Sequence, residues 1–381
     1  MKILILTSRF GMGHYCAAEA IKEELLESNT DDIIEVVDIV KVLFPIMYKL
    51  VYRFFNLFIC RFSCVYNFIN SFAMKHEKTC LRRRNLNKIN SLIEKYNPDL
   101  IVSTWSACSR FISTYKEEYE DDIQLYTHIT DITAHDGWIA NKTNMYFVAA
   151  RSTMELLLSK GVAAEKIIIN GIPVRKSFKN EMEVQSINDK KKILIMGGGL
   201  GLIRGLDNIL EELYESSGVH ITIITGRNKK LLKKIKKDYP KIDAVGYTDE
   251  VYKYMERSDL LITKPGGIST FEAIYTTTPL YIIKPFLSQE VGNAEFIEKM
   301  LIGKIAWENN SNISEDIISL ISNDRLLGQM KYNMQHLKNE ISEFKLNEVY
   351  ERNVKKDVDN YIDNYNDNIF NNIWSNSYIN L

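Results

Sequence analysis

One opening motif occurs twice in this chain. Lys2-Ile3-Leu4-Ile5 leads into a loop holding Gly11, Gly13 and His14, and a helical run follows at residues 17–26. Lys192-Ile193-Leu194-Ile195 repeats the pattern, with Met196, then Gly197, Gly198, Gly199 and Gly201, and a helical run at 206–214. A short apolar strand, a glycine-rich turn and a helix form the first unit of a parallel α/β domain. Two copies predict two Rossmann-like domains, and 381 residues suffice for both.

The alternation continues after each copy. Strands are predicted at residues 33–38, 100–103, 125–129, 145–148 and 167–170, and again at 221–225, 243–245, 260–263, 280–283 and 304–307, with helices between. The expected division is an N-terminal domain over 1–179, a polar linker over 180–191 without apolar periodicity, and a C-terminal domain over 192–344. Residues 345–381 follow, with a helical stripe of Leu346, Tyr350, Val354 and Val358 and then a loosely held Asn-rich tail. In such sheets ligands sit at the carboxyl ends of the strands. Two domains of this kind facing one another make a cleft where a donor and an acceptor meet.

Composition narrows the class. The chain is 45% hydrophobic and 25% charged, as globular proteins are. A net charge of −1 excludes a global field toward nucleic acid or membrane, so any such attraction is local. Cys16, Cys60, Cys64, Cys80 and Cys108 lack zinc-ligand spacing and read as reduced thiols of a cytoplasmic protein, with no metal expected. The N-terminal apolar run is too short for a signal peptide. The most apolar stretch, 44–74, is interrupted by Lys49, Arg53 and Arg61, which argues against a bilayer span.

Several loops carry candidate chemistry. Gly197, Gly198, Gly199 and Gly201 let the backbone approach a phosphate before a helix N-terminus, or they simply make the turn. Thr263-Lys264-Pro265-Gly266-Gly267-Ile268-Ser269-Thr270-Phe271-Glu272 reads as a strand end, a turn and a helix start able to hold a diphosphate. Glu272 is placed to accept ribose hydroxyls; the alternative is a Ser/Thr cap with Glu272 as capping-box partner. Gln289, Glu290 and Asn293 cluster at another helix start, either to read sugar hydroxyls or as an ordinary polar helix beginning. His14 follows the first strand at a helix N-terminus, which lowers its pKa and favours the neutral base, unless it is a structural histidine. Thr130, Asp131 and His135 follow another strand; Asp131 either orients His14, contacts the acceptor or caps a turn.

Residues 44–72 repeat apolar side chains at spacings of three and four. Phe44, Tyr48, Val51, Phe55, Phe58 and Phe62 mark the stripe, and Met47, Leu50, Phe54 and Leu57 widen it. Residues 41–95 hold eleven Lys and Arg, including Lys49, Arg53, Arg61, Arg82, Arg83 and Arg84, against two Glu. Basic plus aromatic marks a surface lying on anionic lipid; the alternative is a core helix beside a solvated basic one.

Read in order, these motifs resemble the monogalactosyldiacylglycerol synthase and processive diacylglycerol glucosyltransferase family, within glycosyltransferase family 28. The resemblance spans about residues 2–340. It rests on Gly11-Met12-Gly13-His14, Thr130-Asp131 with His135 and Trp138, Gly171-Ile172-Pro173-Val174-Arg175, the triple glycine at 197, Thr263-Lys264-Pro265-Gly266-Gly267, and Gln289-Glu290 with Asn293. It implies a GT-B fold and inverting, metal-independent transfer of a hexose from a UDP-sugar to diacylglycerol or a glycosyl-diacylglycerol, at the cytoplasmic face of a membrane. By the same resemblance His14 is the base; Asp131, from the reading of its own loop, is expected beside it at the catalytic site. Gly13, the Gly197 loop, Gly226, Gly246, Tyr247, Lys264, Gly266, Gly267, Ser269, Thr270 and Glu272 serve UDP, and Gln289, Glu290 and Asn293 serve the sugar. The basic aromatic stretch, with His135 and Trp138, serves the lipid acceptor. Leu287-Ser288 stand where family members often carry Pro-Gly. The competing expectations are an N-acetylglucosaminyl transferase of lipid-linked cell-wall precursors, a nucleotide-sugar epimerase of the same two-domain form, and a non-catalytic nucleotide-sugar-binding subunit, against which His14 and both glycine-rich loops argue.

Overall fold

A computed structural model describes residues 1–10, 12–61, 83–180, 190–201, 203, 205–216, 218–308, 313–342 and 350. The chain forms two compact units, Met1–Arg175 with Asn339–Leu381, and Lys176–Lys338. Of the linker expected at 180–191, residues 181–189 lie outside the described residues, as do Gly11, Arg82 and the tail beyond residue 350, while Lys191 already belongs to a strand.

Unit 1 is a parallel sheet of six strands: β1 (Lys2–Thr7), β2 (Ile33–Asp38), β3 (Leu100–Ser103), β4 (Gln124–His128), β5 (Met145–Val148) and β6 (Ile167–Ile169), in spatial order β2-β1-β3-β4-β5-β6. Strands β1, β3 and β5 read as continuous apolar runs because helices cover both faces of a parallel sheet. The first helix, Gly13–Ser28, turns Ala17, Ile21 and Leu25 onto that sheet at a spacing of four. The chain also returns to this unit after leaving it. Tyr350 is fully buried here, its hydroxyl 2.8 Å from His128 Nε2 and its ring edge-on to Phe147. The expected helical stripe thus has one described member, and that member packs in the core of unit 1.

Unit 2 holds β7 (Lys191–Met196), β8 (Val219–Ile224), β9 (Asp243–Val245), β10 (Leu260–Thr263), β11 (Leu280–Ile282) and β12 (Gly303–Ile305). Their order, β12-β11-β10-β7-β8-β9, is the six-strand Rossmann order, with the chain reversing direction between β7 and β10. In unit 1 the reversal falls between β1 and β3. Ligand crevices of open α/β sheets lie outside the carboxyl ends at such reversal points. The fold therefore marks one place in each unit.

Candidate active site

At the reversal point of unit 1, β1 ends in Thr7 and the loop brings Met12 into the left-handed region, at φ 68°, before Gly13 begins the helix. His14 is the second residue of that helix. Its Nδ1 lies 2.7 Å from the Thr130 hydroxyl, which extends from the loop after β4. Thr104, just past β3, donates to the His14 carbonyl at 2.9 Å and stands 2.8 Å from the Thr7 hydroxyl. Three adjacent strands thus contribute hydroxyls around one histidine, Thr130 to its ring and Thr104, backed by Thr7, to its main chain. Thr104 and Thr7 carry no motif, and their role is set by strand order alone.

The other residues expected here are brought to the same place. Trp138 is fully buried, stands edge-on to His14 at 6.2 Å, and donates from its indole N–H to Asp131 Oδ2 at 3.1 Å. Asp131 thus receives Trp138, and the contact to His14 Nδ1 is made by Thr130. Trp138, expected on the acceptor surface, supports the site from beneath. His135 Nδ1 accepts from the Gly137 N–H at 3.1 Å, which puts its own proton on Nε2. Burial lowers the pKa of His14, opposed by the Asp131 carboxylate and a backbone hydrogen bond to Thr104, and assisted by His135. Desolvation is thus the leading cause, where the sequence pointed to the helix terminus.

At the reversal point of unit 2, the helix Gly267–Tyr275 begins after Gly266 without a side-chain cap, so the capping-box alternative is not formed. The first N–H groups of an α-helix lack intrahelical partners and carry the positive end of its dipole, which favours an anion. A Cβ added to Gly198 would find Lys264 Cε at 3.9 Å, which sets the β7 loop beside the β10 loop. The glycines of these loops divide by role. Gly226, at φ 54°, would drive a Cβ to 2.6 Å from the Gly199 carbonyl, and Gly201, at φ 62°, to 2.0 Å from the Thr225 carbonyl. The Arg227 N–H also donates to the Gly199 carbonyl at 3.0 Å. Gly201 and Gly226 are therefore required for loop-on-loop packing, which is a different role from touching a phosphate. Gly197 is buried and Gly199 half-buried in the same loop. Tyr247, after Gly246, is exposed, with the Arg227 guanidinium over its ring at 5.1 Å.

Hydroxyls and amides expected to meet ligand are partly spent inside the protein. Thr270 donates to the Gly266 carbonyl at 2.9 Å. Asn293 is buried and donates from Nδ2 to the Pro265 carbonyl at 3.0 Å. Glu290 Oε2 accepts from the N–H groups of Phe286 and Leu287 at 3.1 and 3.3 Å, and Oε1 lies 3.5 Å from Lys264 Nζ. Glu290 and Asn293 therefore lock the β10 and β11 loops together. Gln289 is half-buried, as are Ser269 and Glu272. Thr263 is buried, and its hydroxyl has no partner among the described residues.

The basic aromatic stretch forms the helix Tyr48–Arg61 after a shorter one, Ile39–Leu43. Tyr48, Val51 and Tyr52 pack against the core, and the Tyr52 hydroxyl donates to Asp38 at 2.7 Å while accepting from the Arg9 N–H at 3.0 Å. Ile46, Met47, Leu50 and Phe54 are exposed, Ile46 at 94% and Phe54 at 63%. Lys49 and Arg53 are exposed beside them, as are Arg83 and Arg84 at the start of the helix Arg83–Tyr96. The apolar stripe is thus divided between core and surface. The side chains of Phe55, Phe58 and Arg61 lie outside the described residues. No helix among the described residues is long and apolar enough to cross a membrane. Among the described residues there is no cluster of metal-ligating side chains.

Known proteins share both sequence and fold with this chain. Residues 14–174 match the monogalactosyldiacylglycerol (MGDG) synthase family, and residues 192–351 match the glycosyltransferase family 28 C-terminal domain. The processive diacylglycerol beta-glucosyltransferase of Staphylococcus epidermidis is 32% identical over 336 residues, covering 85% of each chain. Among solved structures, the spinosyn rhamnosyltransferase SpnG aligns with a TM-score of 0.64 at 12% identity, over 93% of this chain and 100% of the other. Anabaena HepE, crystallised with UDP, aligns at 0.54 and 13% identity, over 98% of this chain and 100% of the other. At such identities these two speak for the fold, the two-domain α/β arrangement of GT-B glycosyltransferases. With hydroxyl-held imidazole and open helix terminus each at the reversal point of its sheet, and with these relatives in sequence, the chain belongs to the family of the processive diacylglycerol β-glucosyltransferases.

Proposed function

We propose that this protein transfers a hexose from a UDP-sugar to diacylglycerol, or to a glycosyl-diacylglycerol, with inversion at the anomeric carbon. The observation that carries the reading is the 32% identity, over 85% of both chains, to a processive diacylglycerol beta-glucosyltransferase. The site geometry supports it. Unit 2 holds the UDP-sugar, its diphosphate at the start of the helix Gly267–Tyr275, where fixed N–H dipoles stabilise the charge that grows on departing UDP. Lys264 lies beside the same turn. Glu272 takes the ribose hydroxyls and Gln289 the sugar, with Glu290 and Asn293 holding the loops that present them.

In unit 1, Nε2 of His14 removes the proton from the lipid hydroxyl. The resulting oxygen attacks the anomeric carbon as the bond to the UDP oxygen breaks, so the proton ends on the imidazole and the electron pair on UDP. Asp131, whose charge favours the protonated ring, stabilises the imidazolium that forms.

The lipid reaches the site from a membrane surface on which the protein lies peripherally. Ile46, Met47, Leu50 and Phe54 enter the interface, while Lys49, Arg53, Arg83 and Arg84 meet anionic headgroups. The test offers UDP-glucose, UDP-galactose and UDP-N-acetylglucosamine in turn with diacylglycerol vesicles and identifies products by mass. A hexosyl-diacylglycerol is expected. An isomerised nucleotide sugar without glycolipid overturns the reading in favour of an epimerase, and an N-acetylglucosaminyl product overturns the hexose assignment.

A further inference from the structure

The Thr130 hydroxyl lies 2.7 Å from Nδ1 of His14, and the backbone carbonyl of Thr104 lies within reach of the same hydroxyl. A carbonyl can only accept. The Thr130 hydroxyl has one proton and a choice of two receivers, the ring nitrogen or the Thr104 carbonyl 3.5 Å away. Giving it to the carbonyl leaves the hydroxyl oxygen as the acceptor for Nδ1–H. Thr130 is itself buried, so water does not compete for these atoms. Thr104 is held in turn, its N–H donating to the Leu6 carbonyl at 3.1 Å and its hydroxyl to the His14 carbonyl. The acceptor pair therefore stands on the ends of two strands.

We propose that Thr130 is a positioning residue: accepting from Nδ1–H and donating toward the Thr104 carbonyl, it holds His14 in the tautomer whose Nε2 lone pair is free to take the substrate proton. The inference rests on His14 being the base. It assigns to a threonine and a carbonyl the task that a carboxylate performs in a Ser-His-Asp triad. The Asp131 carboxylate acts on the ring through its charge while receiving the Trp138 indole N–H. The titratable groups that face His14 are Asp131 and His135, both from the loop after β4, with Arg110 acting on His135 from the helix Ser106–Glu118.

The experiment compares wild type, Thr130→Val, Thr130→Ser and His14→Ala in full-length protein, measuring kcat, KM for the UDP-sugar and the pH profile. Valine keeps the shape and removes the hydroxyl. Thr130→Val is expected to lower kcat by about a hundredfold with KM for the donor unchanged. Its acid limb should move to lower pH, because the imidazolium loses an acceptor. Thr130→Ser should restore most of the rate. A purely structural role would lower the active fraction without moving the acid limb. Imidazole ¹⁵N resonances of His14, assigned by their loss in His14→Ala, provide a readout independent of turnover: a protonated Nδ1 supports the proposal and a protonated Nε2 overturns it. Wild-type kcat and acid limb in Thr130→Val also overturn it. Should His14→Ala turn over like wild type, the base assignment fails and the relay with it; an inactive His14→Ala beside an unaffected Thr130→Val removes the relay alone.

Discussion

Units 1 and 2 open with the same strand, glycine-bearing turn and helix, and they use it in opposite ways. In unit 1 the turn closes around side chains. Thr7, Thr104 and Thr130 supply hydroxyls from three strands, and the product is one oriented imidazole. In unit 2 the turn after β7 closes backbone on backbone, with Gly201 and Gly226 admitting carbonyls where a Cβ would collide, and beside it, after β10, the helix Gly267–Tyr275 begins without a side-chain cap. The first arrangement suits proton transfer, which needs one atom placed within hydrogen-bonding reach. The second suits anion binding, which needs several N–H groups converging on a rounded charge. A shared topology thus supplies the location, and the loop filling decides the chemistry.

Five variants break or sharpen that contrast. The largest effect is expected for His14→Ala, with turnover down about 10²- to 10⁴-fold and UDP affinity by calorimetry close to wild type. Glu272→Ala in unit 2 should do the reverse, weakening UDP by roughly tenfold with a smaller change in kcat. Equal loss of rate and affinity in both variants would erase the division of labour.

Next comes the side chain in the core of unit 1. Burial lowers His128 from an ordinary value of 6.5 to about 3, so the native ring stays neutral while the unfolded chain takes up a proton. Its contribution is fully present above pH 6.5 and is lost as pH falls toward 3, at about 1.4 kcal/mol per pH unit. Denaturant melts between pH 7 and 4 should show this slope, and His128→Gln should flatten it; an unchanged slope removes His128 as its source.

Gly226→Ala tests the backbone-packed turn. A Cβ 2.6 Å from a carbonyl oxygen at φ 54° should cost about 1–3 kcal/mol and weaken UDP, while leaving the His14 cluster as it is. A variant with wild-type melting temperature would show that the loops separate freely. The smallest effect is expected for Asp131→Asn. The Asp131 charge raises the His14 pKa against burial, so its removal should move the acid limb of kcat/KM to lower pH. A limb displaced upward would contradict the assigned sign.

The strands were readable from residue pattern, because buried parallel strands are short apolar runs bounded by turn residues, as in Leu260–Thr263. Both reversal-point loops were readable too, since glycine clusters after a strand are rare without a turn. The commitments of individual side chains were harder to read. Glu290 and Gln289 are neighbours of similar chemistry, yet Glu290 is claimed by the Phe286 and Leu287 N–H groups. Trp138 looks like an aromatic for a lipid surface and is fully buried under Asp131. Along residues 46–54, apolar character alone does not separate Tyr48 and Val51, which face the core, from Leu50 and Phe54, which face outward. Each case turns on a partner distant in sequence or on the direction from which the core is approached.

By itself, then, the residue order determined two parallel α/β units, the loops at their reversal points and a histidine at the first of them. These depend on periodicity and turn chemistry within a few residues, and such short-range preferences add along the chain. Tertiary structure alone decided that Thr130 meets the His14 imidazole across 116 residues and Thr104 the His14 carbonyl across 90, and that Tyr350 closes on His128 across 222. A hydroxyl bonds whatever acceptor the fold sets opposite it, and only strand order and register choose that acceptor.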